Sequence, residues 1–245
     1  IVSIGQAYFG TTPAGADHSI GFEEWIAHPD YQPLGSTFPQ TLPKNDVGIV
    51  VLKEDAPIDP VWIRTDPMTD ADIGATLTSV GWGSVDGDGN DSGTKRSGLL
   101  TVDSYSEQFI VSNSSTNPNN AQICSGDSGG PMYFERADGR LEQWAVHSYG
   151  DVNCTAYSGN TRTDLTSEFI LGEVERIHGT RDFCDIFGLY DDETCDASCD
   201  ADPACLDGDG EDDGIRRGCG CQTNAPASAW LAPLVLLGLR RRRTR

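Results

Sequence analysis

One stretch of the chain, Cys124-Ser125-Gly126-Asp127-Ser128-Gly129-Gly130-Pro131, brings together residue types that can do chemistry. A serine stands between an aspartate and two glycines, with a cysteine four residues before it. A serine hydroxyl is a weak nucleophile until a base takes its proton, and the oxyanion made by its attack needs preorganised N–H donors. Glycine opens turn dihedrals closed to other residues and lets a substrate carbonyl approach. The string therefore offers Ser128 as the attacking group, with the N–H groups of Gly126 and Ser128 as the oxyanion hole. The bland alternative for a Gly-Asp-Ser-Gly core is a solvated polar loop. A working nucleophile needs more: an imidazole to carry the proton and a carboxylate to orient it.

The elements that must position these groups read as β. A chain of 245 residues can hold one large domain and an appendage. A hydrophobic content of 37%, with 28 glycines and 13 prolines, suits a loop-rich β protein rather than a helical bundle. The net charge of -21 argues against a nucleic-acid partner, which requires a basic patch. Short strands are expected over 1–4, 7–9 and 21–26, and Pro29, Pro33, Pro39 and Pro43 exclude a helix in the region that follows. Asp46 opens the β-branched run 47–52, a buried strand in which Asp46 by itself reads as a turn residue. Further strands are expected over 76–82, 131–134 and 141–149, the last two joined by a turn at Asp138-Gly139. Residues 86–98 read as an exposed loop. Its acidic run 86–91 places Asp91 where an EF-hand requires glycine, so a solvated loop is preferred to a metal site. Residues 166–178 carry Ile170, Val174 and Ile177 on one helical face, and Gly179 can end that helix. Eight cysteines, crowded into the second half, imply disulfides and an oxidising compartment.

The eight-residue string resembles the nucleophile loop of the trypsin/chymotrypsin-like serine peptidases. Other landmarks occur in that family's order. Asn45-Asp46-Val47-Gly48-Ile49 resembles the segment that carries the triad aspartate, and His28-Pro29-Asp30-Tyr31 resembles one lying shortly before it. Gly81-Trp82-Gly83 and the strand edge Ser148-Tyr149-Gly150 follow, with Tyr149 replacing the usual tryptophan. Over residues 1 to about 180 the resemblance implies an all-β, two-barrel antiparallel trypsin-like fold with a C-terminal helix, its first barrel incomplete. It implies a serine endopeptidase that hydrolyses protein or peptide substrates through an acyl-enzyme intermediate and uses no cofactor. Asp46 would be the triad carboxylate, and Asp127 the ionic partner of the amino terminus released on zymogen activation. A Cys124–Cys154 disulfide would tie the nucleophile loop to a specificity pocket of Gln122, Ile123, Ser148, Tyr149, Gly150 and Gly159. Gln122 matches the position where trypsin has aspartate. An uncharged pocket base cannot ion-pair with Arg or Lys, so apolar or uncharged substrate side chains are expected.

The histidine is missing from this pattern. His18, His28, His147 and His178 all lie outside the expected context. In the chymotrypsin arrangement the histidine precedes the aspartate by roughly 45 residues, which from Asp46 reaches the start of the chain. The expectation is an amino-terminal truncation just after the histidine motif, inactive as written. The alternative is a catalytically inactive homologue acting as a binding or adhesion protein.

Residues 181–217 change character. Cys184, Cys195, Cys199 and Cys205 sit among Asp191, Asp192, Asp196, Asp200 and Asp202, which suggests a small disulfide-stapled module with an acidic linker. The pattern resembles short cysteine/aspartate repeats of bacterial exported proteins. Calcium, a hard ion that prefers carboxylate oxygens, is its candidate ligand, and a solvated linker is the alternative. Residues 218–245 run from Gly218-Cys219-Gly220-Cys221 through an apolar stretch at 225–239 to the arginines at 240–243. That order resembles the MYXO-CTERM sorting tail. The resemblance implies a membrane-inserted segment, a sorting peptidase acting at Cys219 or Cys221, and display at the bacterial cell surface or release.

Overall fold

Residues 5–35, 41–87, 89, 91–196, 198–199 and 202–205 are described by a computed structural model of the chain. The sequence expectations for residues 1–4, Asp200, the acidic linker after Cys205 and the whole 218–245 tail, including Cys219 and Cys221, lie outside these residues.

Two sheets carry the fold. The smaller has three antiparallel strands in the order β1 (Gln6–Phe9), β2 (His18–Ala27) and β3 (Gly48–Leu52). The larger contains β4 (Trp62–Ile63), β5 (Thr76–Gly81), β6 (Arg96–Thr101), β7 (Ser104–Tyr105), β8 (Phe109–Asn113), β9 (Pro131–Glu135), β10 (Leu141–Gly150) and β11 (Tyr157–Arg162). Its order is β6-β5-β9-β10-β11-β8-β7, with β4 running parallel to β10. Helix α1 (Ser167–His178) follows, and α2 (Phe183–Ile186) starts the cysteine-rich stretch. The described residues are therefore mostly β with few helices. Among the described residues no helix is long and apolar enough to cross a membrane.

Burial is concentrated in the larger sheet. Leu77 and Leu100 face each other across β5 and β6, both fully buried, and Val102, Ile110, Met132, Trp144 and Ala145 pack with them. Burying side chains of this size contributes about 1.5–3 kcal/mol each. By contrast, among the described residues the smaller sheet and its margins bury the apolar side chains of Ile20 and Val47, and Trp25 and Val50 are 60% and 46% exposed.

Several expected elements are present with shifted ends. The helix begins at Ser167 and ends on Gly179, whose left-handed backbone (φ 79°) returns its N–H to Glu175 O. Arg96 to Gly98, expected in an exposed loop, instead start β6, because Gly81 to Thr76 pair with Arg96 to Thr101 along their full length. The Arg96 guanidinium also holds the Gly83 and Asp91 carbonyls, which closes the loop before the strand. Strand β11 was hidden in the sequence. Tyr157-Ser158-Gly159-Asn160-Thr161-Arg162 has no apolar alternation, yet it runs between β10 and β8 and is buried from Ser158 to Arg162.

Candidate active site

The nucleophile loop connects β8 to β9 and is tied at several points. Cys124 is disulfide-bonded to Cys154 on the far side of β10. Asp127 N–H donates to Cys124 O and Gly130 N–H to Asp127 O, so the chain turns tightly around Ser128. The Asp127 carboxylate accepts the N–H of Cys124 at 2.8 Å and of Gly83 at 2.7 Å. A Cβ at Gly81 would lie 1.9 Å from Asp127 Oδ1, and one at Gly83 2.6 Å from Asp127 Cγ. The Gly81-Trp82-Gly83 landmark thus has a physical reason: both glycines clear space for one carboxylate. Gly126 is held at φ 98°, and among the described residues the N–H groups of Gly126 and Ser128 enter no hydrogen bond.

Asp46 reaches the same cleft from the entry to β3. Where β10 pairs with β11, the register passes from His147–Asn160 to Tyr149–Gly159, leaving Ser148 as the extra residue of a β-bulge. Ser148 Oγ uses that freedom to donate to Asp46 Oδ2 at 2.7 Å, joining the two sheets. Asp46, Ser128, Gly129, Val146, His147 and Trp25 are among the residues lining a cleft of about 480 Å³.

The residues expected to shape specificity divide into two groups. Ile123 lies under Gly150, its Cγ1 3.6 Å from where a Cβ would stand. Tyr149 turns its ring over Gly159, where a Cβ would lie 2.2 Å from the ring, and meets Phe109 edge-on at 4.9 Å. Burial, and then the neighbouring Tyr157, push the Tyr149 phenol above its ordinary range. Gly159 therefore accommodates Tyr149, and Ser158 is the residue that stands across from Gly150. Gln122 faces a second cavity, of about 200 Å³, together with Ser84, Arg96 and Asp127, and both of its buried amide atoms lack a partner there. Beside the disulfide, Asp151 accepts main-chain N–H groups from Asn153, Thr155, Ala156 and Tyr157 and so folds the loop that carries Cys154. Burial pushes the Asp151 carboxyl up, but these donors outweigh it and hold the group below its ordinary range.

Among the described residues none of the four histidines bonds to Ser128 or Asp46. His28 accepts the Asp30 N–H on Nδ1 and rests its ring 4.8 Å from Phe169 of α1. His18 lies beside Phe9, and His178 ends α1. His147 is 2% exposed, with Nε2 2.8 Å from Ser79 Oγ and Nδ1 2.8 Å from Asn160 Oδ1. Sequence reasoning passed over His147 and Asn160. The alternation of β10 carried the signal for His147, since it puts this residue on the inward face with Ala145. Nothing in the pattern of β11 marked Asn160.

The cysteine-rich stretch is closed by Cys184–Cys199 and Cys195–Cys205. It packs on the larger sheet through Phe183 and Phe187, whose rings stand 5.8 and 5.1 Å from Trp62, and through an ion pair between Asp196 and Arg140. Asp202 accepts the N–H groups of Asp196 and Ala204. Among the described residues no three His, Cys, Asp or Glu side chains gather at metal-binding distance.

Comparison with known proteins adds two findings. The family model described as Trypsin matches residues 2–169. A phenoloxidase-activating enzyme of Bombyx mori is 29% identical over 164 residues, a match covering 55% of this chain and 35% of that protein. The chain thus spans about a third of the length of this relative.

Proposed function

Because the chain belongs to the trypsin family, we propose that it is a serine endopeptidase with Ser128 as nucleophile and Asp46 as the carboxylate that orients the base. The observation that carries this reading is the Ser148–Asp46 hydrogen bond, which draws Asp46 onto the wall of the cleft that holds Ser128. In the reaction Ser128 Oγ bonds to the substrate carbonyl carbon while its proton passes to an imidazole. The unengaged N–H groups of Gly126 and Ser128 receive the oxyanion. The imidazole returns the proton to the leaving amine, and water then hydrolyses the acyl ester. On this reading none of the four histidines as placed is that imidazole: His147 and His28 already have other partners, His18 lies beside Phe9 and His178 ends α1.

The remaining roles belong to the same reading. The two sheets correspond to parts of two barrels. Asp127 would pair with an activated amino terminus entering the smaller cavity, where Gln122 offers an unpartnered amide. The apolar side chain of Ile123 beneath Gly150 supports apolar or uncharged substrate side chains over Arg or Lys. The three disulfides among the described residues support an oxidising compartment, and so export, with the 218–245 tail directing sorting at the cell surface.

The test is labelling of the natively produced protein with a fluorophosphonate, alongside a Ser128→Ala control and intact mass. Ser128 should take up the probe, and the control should show none and lose about 10⁴- to 10⁶-fold in hydrolysis. A folded sample that does not label would replace the peptidase reading with a binding role. In a peptide panel, cleavage after Phe or Leu should exceed cleavage after Arg; the opposite order would overturn the specificity assignment.

A further inference from the structure

His147 is an expensive residue to bury. An imidazole loses its hydration inside a sheet unless both ring nitrogens find partners, and an apolar side chain would fill the position without that demand. Here every partner is supplied, and in one direction. Asn160 Nδ2 lies 3.4 Å from both the Ile110 carbonyl and Ser158 Oγ, so Asn160 turns Oδ1 toward the ring. The imidazole then carries its proton on Nδ1, donates it to Asn160, and accepts the Ser79 O–H on Nε2. The chain of bonds crosses the sheet from β5 through β10 to β11.

The same residue is also the main-chain partner of the peptide units that follow the nucleophile. Gly129 N–H donates to His147 O at 2.9 Å, and His147 N–H donates to Gly130 O at 2.8 Å. A Cβ at Gly130 would lie 2.9 Å from His147 Cδ2 and 2.6 Å from the Val80 carbonyl, so the loop is seated directly against the ring and β5. Residue 147 thus grips residues 129 and 130 through its backbone while its side chain is fixed at both ends. Immediately after it the strand bulges, and Ser148 turns to Asp46.

Resting on the peptidase reading above, we propose that His147 is a positioning residue. Its neutral imidazole, strung between Ser79 and Asn160, fixes the segment that sets both the approach of Ser128 and the direction of Ser148. It takes no proton from substrate and touches no reacting atom; it acts through Gly129, Gly130 and Ser148.

The test measures the reaction of Ser128 with a fluorophosphonate in the natively produced protein, resolving probe affinity (KI) from the bond-forming step (kinact). The variants are His147→Val, His147→Asn and Ser79→Ala, each melted thermally first and assayed well below its own transition. A nucleophile displaced on the scale of an ångström loses about a hundredfold in rate, so His147→Val should lose about 10- to 100-fold in kinact with KI nearly unchanged. His147→Asn, which can still donate to Asn160, should recover part of that loss. Ser79→Ala changes the least volume and keeps the test available if His147→Val fails to fold; it should lower kinact in the same sense. A residue that served stability alone would reduce the amount of labelled protein and leave kinact of the folded fraction untouched. Unchanged kinact in a folded His147→Val or Ser79→Ala variant would overturn the positioning role while leaving the peptidase reading in place. Failure of the unaltered protein to label would overturn both.

Discussion

At the residue scale, one hydroxyl links two distant parts of the chain: Ser148 and Asp46 are 102 positions apart and 2.7 Å from contact oxygen to contact oxygen. A hydrogen bond to a charged acceptor contributes about 1.5–3 kcal/mol. Ser148→Ala should therefore slow Ser128 labelling by about tenfold or more, and Ser148→Thr should restore part of the rate. His147 makes a separate prediction. Burial holds its imidazole below the ordinary value of 6.5, against the opposing pull of the Asn160 hydrogen bond and the Asp127 charge. The groups facing it are Ser79 and the Val80 carbonyl from β5, Asn160 from β11 and Asp127 from the nucleophile loop. Because the folded value is the lower one, the unfolded chain binds the proton first as pH falls. Stability is then complete above about 6.5 and declines below it toward the folded value. Thermal melts over a pH series should show His147→Val gaining on the unaltered protein below that point and running parallel above it. Equal slopes throughout would mean that His147 binds its proton as readily in the fold as in the unfolded chain.

At the element scale, Leu77 and Leu100 form the centre of the larger sheet, and Leu100→Ala should cost about 2–5 kcal/mol in urea unfolding. The strands that were legible beforehand are those whose inward residues are apolar, as in β3, β5 and β10. The alternation through Trp144 announced burial directly, whereas the run of β-branched residues after Asp46 announced a strand but not its exposure: β3, expected to be buried, has no buried residue because the smaller sheet leaves the Val50 face uncovered. Strand β11 was not legible, because its inward positions include Ser158 and Asn160, and their burial depends on partners that only the assembled sheet supplies. The start of β6 was missed for a related reason: Arg96 looks like a loop residue until its guanidinium is seen capping the carbonyls of Gly83 and Asp91. In the site, the nucleophile loop and Asp46 could be read from short motifs, since local spacing defines them. The lie of Gln122 and the pairing of Gly150 with Ser158 could not, because a bulge at Ser148 shifts the register by one.

At the scale of the whole molecule, the cysteine-rich stretch behaves as a buttress. Cys184–Cys199 closes a separation of 15 residues, for which loop-closure entropy gives about 3 kcal/mol. Reducing that bond or replacing it by Cys184→Ser/Cys199→Ser should free Phe183 and Phe187 from Trp62, seen as a red shift in tryptophan emission, with Ser128 labelling retained. Loss of labelling in step with the shift would mean that the stretch supports the catalytic sheet more tightly than its contacts at Trp62 and Arg140 suggest. The uneven burial of the two sheets has its own outcome in deuterium uptake. The amides of β10 around Trp144 to His147, with paired strands on both sides, should be the last to exchange. Those of β2 and β3, whose faces at Trp25 and Val50 stand open, should exchange early. Opening of the smaller sheet would then carry Asp46 away while Ser128 stays in its folded loop, so catalytic competence would be lost in a fluctuation far smaller than unfolding.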